Sequence, residues 1–294
     1  YNNELGVLIS ILNLNLKSKF ALFEIGTNNF GEIKNLTKII QPEEMFITNI
    51  QSTHLENFKT KKNIAKEKSD IFNKKYNPNI ELAILPNNNI DEKNVLKRAK
   101  YNQVANIISI GTDFDSDLKI KKITDVDKNN IKIDLIYKKK KLYIEINQNQ
   151  KYRVTNILAC LLVFIYNEIK LDSFFLLSKE IPLVEGRGLL NNIIINNKNI
   201  KFIDESYNAS PYSMKTCVDY FRNLTIKDNK KKFLILGDMK ELGKNTISFH
   251  IDLVNYILEK KIENVIICGE LMKIALDKSN NKKILFMHDL NSIV

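Results

Sequence analysis

The chain has 294 residues, 44% of them hydrophobic and 27% charged, which is apolar content enough for packed cores and length enough for two domains. That balance excludes a disordered tail, and the interruption of the longest apolar run, 154–166, by Thr155 and Asn156 excludes a bilayer-spanning helix there. The formal charge of +11 comes from lysines scattered among asparagines without interleaved aromatics, which favours a solvated surface over a nucleic-acid partner.

The opening residues 1–7 read as a loop entering an apolar run, and without an initiator methionine the chain reads as a piece of a longer protein. Residues 20–23 have the apolar content of a buried strand that would deliver Glu24 at its carboxyl end. Residues 31–40 carry Ile33, Leu36, Ile39 and Ile40 at helical spacing, and 45–48 read as a second strand leading into the loop that bears His54. A right-handed crossover would set those two strands parallel, with Glu24 and the His54 loop at the edge where open parallel sheets build their sites. A helix over 61–73 follows, with Ile64, Ala65, Ile71 and Phe72 toward the core and Lys68 one turn past Ile64.

The pattern continues as a strand at 81–85, a helix at 91–101 and a strand at 104–110, then an alternating antiparallel region over 118–146 whose lysine run 138–141 marks a hairpin turn. A core helix is expected over 153–169 and a domain boundary near Pro182, giving domains at 1–183 and 184–294. Gly186, Arg187 and Gly188 read as a flexible charged connector. Beyond two short strands at 192–195 and 200–203, helices at 212–224, 248–259 and 271–277 alternate with strands at 233–236, 265–267 and 284–286, the signature of a second parallel α/β domain. Cys160, Cys217 and Cys268 lie far apart in apolar surroundings and read as buried free thiols, which with the absence of a signal peptide suits a cytoplasmic protein.

Polar residues gather at strand ends in three places: Glu24 with His54 and Lys68, the run DESYNASP from Asp204 to Pro211, and LGDMKELG from Leu236 to Gly243. A carboxylate, an imidazole and a lysine are each ordinary surface chemistry alone. Together they suit a hard cation beside phosphates, which takes oxygen ligands with some imidazole help.

In order along the chain, YNNELGV, EIGTNNFGEI, ITNIQSTHLENF, KEKSDIF, DESYNASPYSM and LGDMKELG resemble the Mur ligases, the ATP-dependent amide-forming enzymes of peptidoglycan synthesis. The resemblance spans nearly the whole chain and is closest to the branch that adds D-alanyl-D-alanine to UDP-N-acetylmuramoyl-tripeptide. It implies an α/β fold, with a central ATPase domain on a mainly parallel sheet and a Rossmann-like C-terminal domain. It also implies ATP and Mg²⁺, with Glu24 and His54 on the metal and Lys68 as the carbamylated lysine beside it. Asn156 would meet the adenine, Arg187 and Asp204 the nucleotide, and Asn208 and Ser213 would lie in a ligand-facing loop. The reaction implied is phosphorylation of the tripeptide carboxylate and attack on the acyl phosphate by the amine of D-alanyl-D-alanine. A monomer is expected, with no nucleic-acid partner and no membrane insertion.

This chain departs from the family pattern at Gln150 and Tyr152, where glycine and histidine are usual, and at Ser210 and Tyr212, where asparagine and aspartate are. No G-x-x-x-x-G-K-[ST] phosphate loop occurs in it; the family carries that loop just upstream, so a fragment inactive alone and lacking the N-terminal domain is expected. The alternatives are another Mur ligase, a folylpolyglutamate synthase-like amide ligase, or a non-catalytic relic of the fold.

Overall fold

The structure, a computed structural model, describes residues 2–127, 129–179, 181–182, 184–224, 231–279 and 284–287. It divides into two units, Tyr1–Ile50 with Thr60–Pro182, and Gln51–Lys59 with Leu183–Val294. The sequence division falls at Leu183, outside the described residues, and placed residues 51–59 with the first domain. In the structure they join the second, because Glu56 N–H donates to the Glu241 carbonyl at 3.2 Å and the Gly243 α-carbon, which bears no side chain, lies close against Leu55 and Glu56.

In the first unit the Asn3 side chain accepts the Gly6 N–H at 2.8 Å and caps α1 (Glu4–Leu12), so the opening expected as a loop turns helical at Glu4. Next comes α2 (Glu32–Ile40), which buries Ile33, Leu36 and Thr37 and leaves Ile39 exposed. β1 (Glu44–Phe46) follows, then α3 (Leu55–Phe58) of the second unit, then α4 (Lys61–Lys68). The helix expected to run through 73 tightens after Lys68 into a 3₁₀ turn, Ser69–Phe72.

β2 (Leu82–Pro86), α5 (Ile90–Tyr101), β3 (Asn106–Gly111) and β4 (Leu118–Asp125) continue the sheet, and β5 (Asn130–Tyr137) and β6 (Lys140–Asn147) complete it. Its order is β1-β2-β3-β4-β5-β6, parallel through β4 and antiparallel beyond. β2 is buried at every position, as a central parallel strand must be. The β5–β6 turn places Lys138 and Lys139 at φ 47° and 64°, the two left-handed centres of a type I′ hairpin. On α6 (Val154–Tyr166), Val154, Ile157, Leu158, Leu161 and Leu162 form a stripe at helical spacing that joins Ile131, Ile133, Leu135, Ile144 and Ile146 in one core. α7 (Leu171–Lys179) adds Phe174.

The strand expected at 20–23 does not form: Phe20 is 57% exposed and Leu22 99%. A strand is held by ladder hydrogen bonds, and β1, only three residues long, pairs with β2 alone among the described residues. Four apolar side chains do not offset an unpaired backbone, so this stretch stays hydrated.

In the second unit β7 (Leu189–Ile195) and β8 (Lys198–Asp204) make an antiparallel hairpin. α8 (Pro211–Asn223), β9 (Leu234–Leu236), α9 (Thr246–Glu259), β10 (Val265–Cys268), α10 (Glu270–Lys278) and β11 (Leu285–Met287) then alternate, with the strands parallel in the order β11-β10-β9. Val218, Leu253, Val254, Ile257, Ile267, Met272 and Ala275 form its core. The three cysteines are free, but Cys160 is exposed on α6 and the other two half-buried, since α6 turns its Cys160 side away from the apolar stripe. Among the described residues no helix is long and apolar enough to cross a membrane.

Candidate functional site

Within the first unit, Glu24 follows the unpaired 20–23 stretch and accepts the Asn2 amide at 3.0 Å. Asn2 also accepts the Gly26 N–H on its carbonyl at 2.8 Å, so the chain turns at Gly26 against the residues just before α1. From there Glu32 reaches back to accept from the Asn29 side-chain amide at 3.0 Å and from the Asn28 and Asn29 N–H groups at 2.6 and 3.1 Å; partial burial pushes its carboxyl up, but these bonds, the Asn29 amide first, together hold it below the usual range.

Lys68 ends α4. Its ammonium donates to the Asn49 carbonyl at 3.0 Å, and the protein packed around it pushes its pKa down, because burial penalises the charged form. The residue as a whole is half-buried. The carboxylate next to it, Glu67, is turned away and buried, accepting the Gly31 N–H at 2.9 Å and the Ile33 N–H at 3.0 Å. Asn156 stands exposed in the first turn of α6. Gln150, one of the departures, is buried in a structural role: its amide donates to the Ile181 carbonyl at 3.1 Å and its oxygen accepts from Arg153 at 3.1 Å.

Within the second unit, His54 sits in the left-handed region at φ 52°, ψ 32° just before α3, and its Nδ1 pairs with the Glu241 carboxylate. The run LGDMKELG is shaped from within: Asp238 accepts the Leu271 and Met272 N–H groups at 3.3 and 2.9 Å and so caps α10. Buried His250 accepts the Met239 N–H on Nε2 at 2.9 Å while its Nδ1 meets the Thr246 carbonyl at 2.7 Å, which fixes a neutral ring protonated on Nδ1.

Arg187 and Asp204 are brought together. The Gly188 N–H donates to the Asp204 carbonyl at 2.7 Å, the Tyr207 N–H donates to the Gly186 carbonyl at 3.1 Å, and the Arg187 guanidinium lies 4.2 Å from the centre of the Tyr207 ring. The expected flexible connector is therefore a bonded turn. Hydrogen bonds from Ser206, with a further one from the Gly186 backbone, hold the Asp204 carboxyl below its ordinary value. Asn208 bonds the following Ala209 N–H at 2.8 Å. Ser213 is spent on capping: its Oγ accepts the Ser210 N–H at 2.9 Å, and Ser210 accepts the Ser213 N–H at 3.3 Å, a capping box at the start of α8. Sequence reasoning missed Glu67, Tyr207 and Glu241. Glu67 had a signal, since it lies at i+3 from Ile64 and i+4 before Ile71 on the apolar side of its helix.

Among the described residues no group of three or more His, Cys, Asp and Glu side chains could hold a metal. The first unit does offer chemistry suited to a hard cation: an accessible carboxylate at Glu24, and at Lys68 an amine whose lowered pKa favours the neutral form that combines with carbon dioxide to give a carbamate.

Residues 1–164 match the model of the Mur ligase middle domain, and residues 192–292 that of the Mur ligase glutamate ligase domain. The chain belongs to the Mur ligase family. More narrowly, it is 32% identical over 284 residues to the UDP-N-acetylmuramoyl-tripeptide–D-alanyl-D-alanine ligase of Rickettsia prowazekii, and 26% identical over 271 residues to the ligase of that name from Bacillus subtilis. Those alignments cover 96% and 92% of this chain but 61% and 56% of the relatives, so the chain spans about three fifths of their length. A crystal structure of MurF from Acinetobacter baumannii shares the fold with a TM-score of 0.82 at 24% identity, covering 99% of this chain and 60% of the other. MurF from Thermotoga maritima in complex with ADP does so at 0.77 and 23%, covering 99% and 64%.

Proposed function

We propose that this chain forms the middle and C-terminal parts of a ligase that joins D-alanyl-D-alanine to UDP-N-acetylmuramoyl-tripeptide. The observation that carries the reading is identity of 32% to a ligase of that name, sustained over 96% of the chain. The γ-phosphoryl group of ATP passes to the tripeptide's terminal carboxylate, releasing ADP. The amine of D-alanyl-D-alanine attacks the acyl carbon, and the tetrahedral intermediate expels phosphate to leave the amide.

Such a reaction asks the protein to position reactants and to neutralise charge rather than to supply a nucleophile. In this reading Glu24 and carbamylated Lys68 are oxygen donors to Mg²⁺; the ion, when bound, neutralises phosphate charge. Asn156 faces the adenine, Arg187 and Asp204 the nucleotide, and Asn208 the ligand loop, which Ser213 shapes through its capping box. Tyr207 stacks on the guanidinium of Arg187 and limits its swing.

The test uses the protein as encoded in full, with ATP, Mg²⁺, UDP-N-acetylmuramoyl-tripeptide and one amine at a time. Phosphate release that depends on D-alanyl-D-alanine, and not on L-alanine, D-glutamate or diaminopimelate, is the expected result. Release with a different amine would assign another ligase of the family, and release with none would leave a non-catalytic relative.

A further inference from the structure

α2 begins without a cap of its own. Gly31 precedes it at φ 90° and offers no side chain, so the first N–H groups of the helix need an acceptor from elsewhere. Glu67 on α4 is that acceptor: Oε2 takes the Gly31 N–H at 2.9 Å, Oε1 takes the Ile33 N–H at 3.0 Å, and the Thr27 hydroxyl stands 3.5 Å from Oε1. Glu67 is 1% exposed. A buried carboxylate is costly unless its oxygens are bonded, and here both are bonded to backbone N–H groups at the positive end of a helix.

Two candidate residues lie on the segments that this joint ties together. The loop it closes begins at Glu24, is pinned at its head by Asn2 and at its foot by Glu67, and contains Gly26–Gly31. The helix that supplies Glu67 ends one residue later in Lys68, whose amine points to the Asn49 carbonyl. Successive helical residues are about 100° apart around the axis, so fixing Glu67 against α2 also fixes the direction in which Lys68 leaves α4.

We infer that Glu67 is a positioning residue for this site: as a tertiary cap of α2 it sets the Glu24 loop and the Lys68 helix in one fixed relation. The inference rests on the ligase reading proposed above, in which Glu24 and Lys68 serve the reaction. Glu67 itself touches no reactant.

The test is made in the full-length protein with Glu67→Gln, which keeps the shape but replaces one acceptor oxygen by an NH₂ group that faces an N–H donor. Glu67→Ala, which removes both acceptors, is the companion variant. Asn77→Ala is the control for lost buried hydrogen bonds: Asn77 is fully buried and donates to the Pro42 carbonyl ahead of β1 at 3.1 Å and to the Ile71 carbonyl in the 3₁₀ turn after α4 at 3.2 Å, so it removes bonds beside the Lys68 helix without removing the cap of α2. Amide hydrogen exchange at Gly31 or Ile33 is expected to quicken at least tenfold in Glu67→Gln. The kcat for D-alanyl-D-alanine-dependent phosphate release is expected to fall at least tenfold with KM for that dipeptide within twofold, while Asn77→Ala keeps the wild-type kcat. A smaller kcat loss, unchanged exchange at both amides, or an equal kcat loss in Asn77→Ala would overturn the positioning role. A wild-type protein that releases no phosphate would overturn the ligase reading itself, and the exchange measurement would still show whether Glu67 anchors the loop.

Discussion

Replacing Gly269 by alanine should unfold the second unit far more readily than the same change at Gly237, although the two glycines flank one layer of the sheet. Gly269 sits at φ 102°, ψ 152°, a region open in practice to glycine alone, and occupying it with a side chain costs roughly 1–3 kcal/mol. A Cβ there would lie 2.4 Å from the Asp238 carboxyl carbon, so Asp238 must move and release the Leu271 and Met272 N–H groups that it caps. Loss of an N-cap costs about 1 kcal/mol, for a total of roughly 3 kcal/mol. At Gly237 a Cβ meets nothing within 4 Å and φ lies outside the glycine-favoring range, so alanine should change stability by about 1 kcal/mol or less, in the stabilising direction if at all. The assay is native-state amide exchange at Ile267, which is fully buried on the central strand β10 and reports opening of the whole unit. Gly269→Ala should lower its protection about a hundredfold, at ~1.4 kcal/mol per tenfold, and Gly237→Ala should leave it unchanged or raise it by less than about fivefold. Equal protection in the two variants would refute the reasoning.

Three further outcomes follow from the same geometry. His250→Leu fills the ring's space but leaves the Met239 N–H without its acceptor, and should cost about 1–3 kcal/mol in urea denaturation of the second unit; an unchanged midpoint would show that the bond is dispensable. Burial, with the Glu205 charge second, pushes the Cys217 thiol up to about 12 from 9.0, so at pH 9 its thiolate fraction is about a thousandth against about half in the unfolded chain. Iodoacetamide should therefore label Cys217 hundreds of times faster in urea than in buffer, and comparable rates would contradict its burial. Between those two values the folded chain keeps a proton that the unfolded chain has lost, so the contribution of Cys217 to stability declines as pH rises from about 9 to about 12, and a pH titration of the unfolding free energy should lose that slope in Cys217→Ala.

Periodicity carried most of the architecture. The helical stripe of α6 and the β–α alternation after β8 could be read because each element's burial repeats with its own period. The failures have physical causes. Residues 20–23 have a strand's composition but no ladder partner among the described residues, and composition cannot show whether a neighbour exists. Residues 51–59 follow a strand of the first unit yet fold onto the second through Glu56 and Gly243, a long-range contact with no local signature. Of the candidate site, Lys68 was legible as a lysine near the apolar face of α4, and its lowered pKa fits that reading. Glu67 was passed over because a glutamate among lysines looks like a solvated charge, although its helical position put it on the buried side. The pairing of His54 with Glu241 depends on contacts 187 residues apart in the chain, and no spacing rule reaches that far.

The central proposal is that this chain supplies Lys68 and its surroundings to an ATP-dependent ligase that joins D-alanyl-D-alanine to UDP-N-acetylmuramoyl-tripeptide. It is tested most directly by mass spectrometry of the products that the full-length protein forms from ATP, UDP-N-acetylmuramoyl-tripeptide and D-alanyl-D-alanine. The wild type should yield the UDP-linked pentapeptide. Lys68→Ala, with an unchanged circular dichroism spectrum, should lose product formation by about a hundredfold or more, the scale on which removing one charge-stabilising group acts, and a small added carboxylate such as acetate should restore part of it in place of the carbamate. Pentapeptide formed by Lys68→Ala at the wild-type rate, or its absence from the wild type, would contradict the account.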